Sequence, residues 1–350
     1  MPMFAEVVDA VIAGDTHKLS HTLEMVSPTG AVITSVTISN TAAGFVQALA
    51  WIADHRPGDR IVVGLEGTRS YGIGLARALT AAGLVVVEVE QPSRKQRRGK
   101  GKSDPIDAHL AALAVLRMPE EAKTVPRNDG PREALRILLA ARDDLATHQT
   151  AQINQLKALL LTGGDADREL GVGPVTRTRL KRITDRNVPA GAGIDERVRS
   201  GEIHRLATAI NTSMTELAAN GKQLAAITAA MAPTLPDQLG VGPVSAAKLL
   251  VAFSHPGRCR NEAAFASLAG VAPIPASSGK TVRHRLSRGG DRQLNRALHT
   301  IALTRWRTDP TTAVYIARRT AEGKTNREIR RCLKRYLARS LYRLMTAEVA

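Results

Sequence analysis

The sequence predicts an α/β domain at the N-terminus followed by a long, mostly helical remainder. Three observations lead there. The first ninety residues order their apolar patterns as βββαβαβ. Leucines recur at helical spacing from about residue 135 onward. The charge also changes sign along the chain: residues 1–90 hold 5 Lys and Arg against 9 acids, whereas residues 256–350 hold 20 against 6. A chain of 350 residues is long enough for two or three domains.

Taken in order, "EVVDAVIAGD" and "SHTLEMVSP" predict strands, and "AVITSVTISN" a third after a "TG" turn. "TAAGFVQALAWIADH" has helical spacing, with Phe45, Leu49 and Ile52 on one side. "RIVVGLEG" predicts a buried strand, "SYGIGLARALTAAG" a helix ended by Gly83, and "LVVVEVEQ" another buried strand. Three meandering strands followed by alternating helices and strands describe an RNase H-like α/β domain. In a sheet of that order the first and fourth strands lie side by side.

Residues 91–103 read as a basic linker, and a helix follows from about Asp104 to Arg117. Beyond the loop "PEEAKTVPRNDGP", Leu135, Leu138, Leu139, Leu145, Ile153, Leu156 and Leu160 mark a long amphipathic helix. Ile203, Leu206, Ile210, Leu217, Leu224, Ile227 and Met231 then keep heptad spacing, with Ser213 and Asn220 at the two missing positions. That pattern predicts a coiled-coil arm or dimer interface, or else two core helices packed in one chain. A weak repeat, "ELGVGPVTRTRLKRI" and "QLGVGPVSAAKLLVAF", has the Gly-x-Gly turn of a helix-hairpin-helix. The second copy is the better nucleic-acid candidate, because the most basic part of the chain follows it. The tail from Thr325 to Leu344 predicts an amphipathic helix with Ile329, Leu333, Tyr336, Leu337, Leu341 and Leu344 inward. The expected divisions are 1–125, 126–235 and 236–350.

A formal charge of +17 and a pI near 10.6 point to a polyanionic partner. Aromatic residues make up only 3%, which argues against binding built on base stacking. Cys259 and Cys332 show no metal-ligand spacing and read as a reducing, cytosolic setting. The N-terminal stretch carries acids where a secretory signal carries Lys or Arg, and no apolar run approaches a membrane span.

Four acids stand out by position. Asp15 closes the first strand, Glu66 closes the fourth, and Asp104 and Asp107 open the helix after the fifth. Asp104 and Asp107 share a helix face. With Pro105 suited to the first helical position, they also fit a simple capping arrangement. Against that, Mg²⁺ takes carboxylate and phosphate oxygens, and two such ions can flank a scissile phosphate. Four acids at the ends of one sheet meet that need.

"AGDTHKLSHTL", "VGLEGTRSYG", "RRGKGKSDPIDA" and "LAGVAPIPASSGKTVRHRLSRGGDRQLNRALH" together resemble the DEDD-type transposases of the insertion sequence 110 family, related to the pilin-gene inverting recombinase Piv. The likeness runs from about residue 8 to 345 with its motifs in order. The small "AGD" strand end and "LTGGDADREL" depart from the usual pattern. The resemblance implies a RuvC-like N-terminal domain, a long helical coiled-coil region and a mainly α-helical C-terminal transposase domain. It places the DEDD acids on Asp15, Glu66, Asp104 and Asp107, with Mg²⁺ or Mn²⁺ as cofactor. It places a nucleophilic serine on Ser278 in "ASSGK", with Ser277 beside it as the alternative.

The resemblance further implies a structured bridge RNA from the same element that pairs with donor and target DNA; the expected assembly is a homo-oligomer, a dimer or tetramer, in the bacterial cytoplasm at the nucleoid. Candidate nucleic-acid contacts are Arg94, Lys95, Arg97, Arg98, Lys100 and Lys102 in the linker, then Lys280, Arg283, Arg285, Arg288 and Arg292. Arg327, Arg331 and Lys334 extend them along the tail helix. The reading is a DNA recombinase that cuts through a covalent phosphoserine. Its rivals are a junction-resolving nuclease that uses water, and a binding protein whose acids only cap and solvate.

Overall fold

The structure is a computed structural model that describes residues 2–89, 104–127, 129–186, 191–279 and 284–349; of Asp104, Pro105 and Ala122 only the backbone is described. The chain gathers into two compact units. One comprises Met1–Glu133, Phe253–Leu268 and Val349–Ala350, the other Ala134–Ala252 and Ala269–Glu348.

The first unit opens with a single helical turn, α1 (Phe4–Val7), where the sequence pattern predicts strand from residue 6. Phe4 and Val8 are buried there, so the apolar residues serve a docked turn and the strand starts later. The elements that follow are β1 (Ala10–Thr16), β2 (Ser20–Val26), β3 (Val32–Ser39), α2 (Ala42–His55), β4 (Ile61–Leu65), α3 (Ile73–Ala81), β5 (Val85–Glu88) and α4 (Asp104–Leu116). This is the βββαβαβ order that the apolar pattern predicts. The sheet runs β3-β2-β1-β4-β5, with β1, β4 and β5 parallel and β2 antiparallel to both neighbours.

Both faces of the sheet are covered, which is why β1 and β4 are buried throughout and read as continuous apolar runs. On one face Ile12, Val63 and Leu65 pack with Trp51, Ile52 and Leu79. On the other, Val11, Ala13 and Val62 pack with Ala111, Ala112 and Val115 of α4. Thr41 caps α2 by accepting from the Gly44 amide at 3.2 Å, a contact of the kind worth about 1 kcal/mol.

The remainder is mostly helical: α5 (Gly130–Leu161), α6 (Asp165–Gly171), α7 (Arg177–Thr184), α8 (Ile194–Met231), α9 (Pro243–Phe253), α10 (Glu262–Leu268), a small hairpin of β6 (Ile274–Pro275) and β7 (His284–Arg285), α11 (Arg292–Thr308), α12 (Pro310–Ala321) and α13 (Asn326–Glu348). Of these, α10 lies in the first unit. The heptad residues Ile203, Leu206 and Ile210 are packed by Leu156, Leu160, Leu180 and Ile183 of the same chain. Asn220 donates to the Leu138 carbonyl at 2.9 Å and accepts from Arg142 at 3.3 Å. The seam is filled from within over these residues, the plainer of its two readings.

In the tail, α13 buries Ile329, Leu333, Leu337 and Leu341 as its pattern predicts. Tyr336 is 56% exposed instead and meets Tyr315 edge-on. Met345, a full turn beyond Leu341, takes the buried place expected of Leu344. No described helix is long and apolar enough to cross a membrane.

Candidate functional site

Strand register places the carboxylates. Gly14 on β1 pairs with Leu65 on β4 in parallel, so Asp15 and Glu66 follow as neighbours at the carboxyl ends of adjacent strands. Side chains alternate along a strand, which turns both acids to the face where Ala13 and Val62 meet α4. Helix α4 lies close because Gly64 leaves room: a Cβ there would come 2.4 Å from Val115 Cγ2. Asp107, in the first turns of α4, is buried at the same face. Asp15, Glu66 and Asp107 are 8, 6 and 4% exposed.

Several bonds hold this corner. Thr16 donates its hydroxyl to the Glu66 carbonyl at 3.0 Å, and the Glu66 amide donates to Gly14 O at 3.3 Å. His17 Nε2 lies 3.2 Å from Asp15 Oδ2. His109 Nδ1, one half-turn past Asp107, meets the buried Glu24 of β2 at 2.6 Å and ties α4 to the sheet. Sequence reading did not single out this Glu24–His109 pair, whose partners stand 85 residues apart.

Carboxylate oxygens are the hard donors that Mg²⁺ and Mn²⁺ take. Burying a carboxylate is costly unless it is paired or coordinates a metal. Donor type and burial therefore fit such an ion. Among the described residues no group of three or more His, Cys, Asp or Glu closes around a metal position, and the Asp104 side chain lies outside them.

At the same end of the sheet, Glu88 closes β5 and gathers arginines that sequence reading missed. Arg127 makes paired hydrogen bonds to it at 2.7 and 2.8 Å, and Arg69 Nε stands 3.2 Å away. Arg258 acts on the same group from the returning segment Phe253–Leu268. Burial, reinforced by Arg127, pulls Arg132 down to about 10, and the same two causes lower Arg258. Burial also lowers His255, with Arg258 next, so it is neutral near pH 7. The one local signal was Arg69 within "VGLEGTRSYG"; the others come from distant positions.

Ser277 and Ser278 are exposed in the second unit, after the β6 strand. Arg285 is exposed on β7, Arg288 in the loop that follows, and Arg292 at the start of α11. Arg327 and Arg331 are exposed on α13, and Lys334 is half-buried. Arg288, Arg292 and Lys334 line one cavity, while Arg285, Arg331 and Lys334 line another. Arg94, Lys95, Arg97, Arg98, Lys100, Lys102, Lys280 and Arg283 lie outside the described residues. In the second Gly-x-Gly copy the turn is engaged by α11: Arg305 donates to the Leu239 carbonyl at 2.8 Å.

Comparison with known proteins bears on both sets of residues. Residues 12–163, which span all four acids, match a family profile described as a transposase, that of the DEDD transposases of IS110. Residues 233–317, which span both serines, match one described as the transposase IS116/IS110/IS902 family. The uncharacterized 43.6 kDa protein of insertion element IS110 from Streptomyces coelicolor is 27% identical over 270 positions, covering 65% of this chain and 66% of that relative. The uncharacterized 42 kDa protein of insertion element IS900 from Mycobacterium paratuberculosis is 25% identical over 364 positions, covering 89% of each.

Proposed function

Because the chain belongs to the insertion sequence 110 family of transposases, we propose that it is a site-specific DNA recombinase with Ser278 as its nucleophile. In this reading the first unit is an RNase H-like, RuvC-like domain. Asp15, Glu66, Asp104 and Asp107 would hold Mg²⁺ or Mn²⁺. Such an ion, when bound, acidifies a coordinated oxygen and draws charge from the scissile phosphate. The supporting observation is the shared corner of Asp15, Glu66 and Asp107, all buried on the α4 side of the sheet.

The chain's own step is an exchange of phosphodiesters. Ser278 Oγ gives up its proton and bonds to phosphorus while the bond to the departing sugar oxygen breaks. That oxygen takes up a proton as it leaves. One ester replaces another, so joining is the same exchange run backwards and needs no high-energy cofactor. Donor and target DNA are the substrates, a structured RNA of the element is the guide, and copies of the chain assemble around them near the nucleoid. The segments 1–125, 126–235 and 236–350 supply the metal corner, the helical region, and the serine with its basic surroundings.

The test is the covalent intermediate. Wild-type protein should leave a protein–DNA adduct on denaturing gels, and a chelator present from the start should prevent its formation. Ser278→Ala should lose adduct and cleavage but keep DNA binding, and Ser277→Ala should keep all three. Normal cleavage by Ser278→Ala would make water the nucleophile and the chain a junction-resolving nuclease.

A further inference from the structure

Two cavities adjoin in the second unit, between the loop after α10, the β6–β7 hairpin and α13. The larger, about 590 Å³, is lined by Arg288, Arg292, Arg296 and Lys334, and among the described residues that line it there is no carboxylate. The smaller, about 140 Å³, is walled by Val271, Ala272, Pro273 and Leu286, with Arg331 and Arg335 beside them. Gly270, Leu286, Ser287 and Lys334 line both.

The common wall is closely fitted. A Cβ on Gly290 would come 2.3 Å from Gly270 N and 2.5 Å from its Cα, so two backbones touch where only glycine fits. Asn295 of α11 donates to the Ala269 carbonyl at 2.7 Å and accepts from Lys334 Nζ of α13 at 3.0 Å. Loop and helices are thereby fixed around one lysine. Burial, then Arg331, pulls Lys334 below the usual lysine range. Burial, then Lys334 and Arg330, lowers His299 as well, which keeps it neutral near pH 7. An anion entering the larger chamber relieves this crowding of cations.

A cationic chamber joined to an apolar slot suits a ligand that is anionic at one end and flat and apolar at the other. A nucleotide is such a ligand. Its ring is available only when unpaired and unstacked, since a duplex hides both faces. Rings of this kind also lie against guanidinium planes, which matters in a chain with 3% aromatic residues.

We propose that the joined cavities bind one unpaired nucleotide of a nucleic-acid strand, its ring against Ala272 and Leu286 and its phosphate toward Arg288, Arg292 and Lys334. DNA and RNA share this chemistry. The site takes from the proposed function only that the partner is a nucleic acid, and needs neither the serine nor the carboxylates.

The full-length protein is titrated with short oligo-dT, oligo-U and a blunt duplex carrying the same number of phosphates. Ala272→Phe fills the slot without touching a charge. It should weaken single-strand binding about tenfold, the scale of one stacked base, and leave duplex binding unchanged. Equal losses on strand and duplex, or none on the strand, overturn the pocket.

Because a slot-filling variant can misfold, the wild type supplies a second measurement. Cys332 lines the slot, and Cys259 lies in the other unit. Oligonucleotide should shield Cys332 from alkylation and leave Cys259 unaffected. Shielding by oligo-U alone, by oligo-dT alone or by both upholds the pocket and identifies its source as RNA, DNA or either. Shielding by neither overturns it. Asp15→Asn should lose the DNA adduct and keep the shielding: a wild type that shields Cys332 but forms no adduct refutes the recombinase alone, and one that forms the adduct without shielding refutes the pocket alone.

Discussion

In the first unit the acids Asp15, Glu66 and Asp107 are each under a tenth exposed, held by strand ends and by one helix start. In the second unit Arg288, Arg292 and Arg331 stand in solvent on loops and helix faces. Buried charges in a rigid sheet depend on each neighbour, so a single change there alters everything. Exposed cations on helices act nearly independently and are screened by salt. The same chain thus answers a substitution in two ways: all at once at the sheet edge, and by small additive steps on the helices.

The largest contrast comes from neutralising the acids. Asp15→Asn, Glu66→Gln, Asp104→Asn and Asp107→Asn should each cut recombination by at least about a hundredfold, the upper end of the loss when outer partners of a bound metal are removed. For Asp15, Glu66 and Asp107 the unfolding temperature should hold or rise, because a buried negative charge has gone. An Asp104→Asn protein that stays active and merely melts earlier would return Asp104 to the role of helix cap.

The next effect asks whether the heptad seam joins copies or only packs one chain. Ile210 is fully buried among Leu156, Leu180 and Leu206, so Ile210→Ala should cost about 3 kcal/mol of stability. The mass seen by light scattering should not change. Assembly keeps a candidate surface further along the same helices, the open groove of α5 and α8 lined by Ile137, Leu138 and the heptad residue Ile227. Ile137→Asp with Ile227→Asp should lower the mass while leaving the unfolding temperature nearly unchanged. Dissociation by Ile210→Ala without unfolding would put the seam between copies.

The apolar runs made the sheet legible, and with it the acids, because a charged residue at the end of a buried strand breaks the pattern visibly. Phe4–Val7 was not legible: four residues of helix and four of strand look alike when both bury Phe and Val. The Arg69, Arg127 and Arg258 group was not legible either. Arg258 joins Arg69 and Arg127 at Glu88 only because Phe253–Leu268 belongs to the first unit. The basic residues around the cavities were readable as basic. Their grouping depends on Asn295 reaching Lys334 across 39 positions, which no local pattern encodes.

Glu88 gives the pH signature of the first unit. Burial alone would raise its pKa, but the paired bonds from Arg127, then the charges of Arg127, Arg69 and Arg258, hold it below the ordinary 4.5. A carboxyl lowered on folding stabilises the fold above its unfolded pKa and loses that contribution as pH falls through the folded value. Glu88→Gln should therefore cost about 2 kcal/mol at neutral pH, between the values for a surface pair and for a fully buried one. Thermal unfolding across pH should show the gap from wild type closing as the buffer is acidified below the ordinary carboxyl range. A constant gap would mean that packing, not charge, accounts for the loss.

The smallest effect belongs to the second unit and defines its side of the comparison. Each phosphate neutralised on duplex DNA contributes about −0.9 to the slope of log K against log salt. Arg288→Gln with Arg292→Gln removes two exposed cations and should make the slope less steep by about 1.8, with unfolding unchanged because neither side chain is buried. The full chain is the right object, since a fragment beginning near residue 236 would divide Phe253–Leu268 from the unit it packs in. Arg127→Gln serves as the contrast. Its guanidinium is committed to Glu88, so it should lower stability and leave the salt slope alone. A slope that stays constant in the Arg288 and Arg292 variant while binding weakens would show these arginines shaping the loop and not meeting phosphate. The additive behaviour assigned to the helices would then fail at its two best-placed residues.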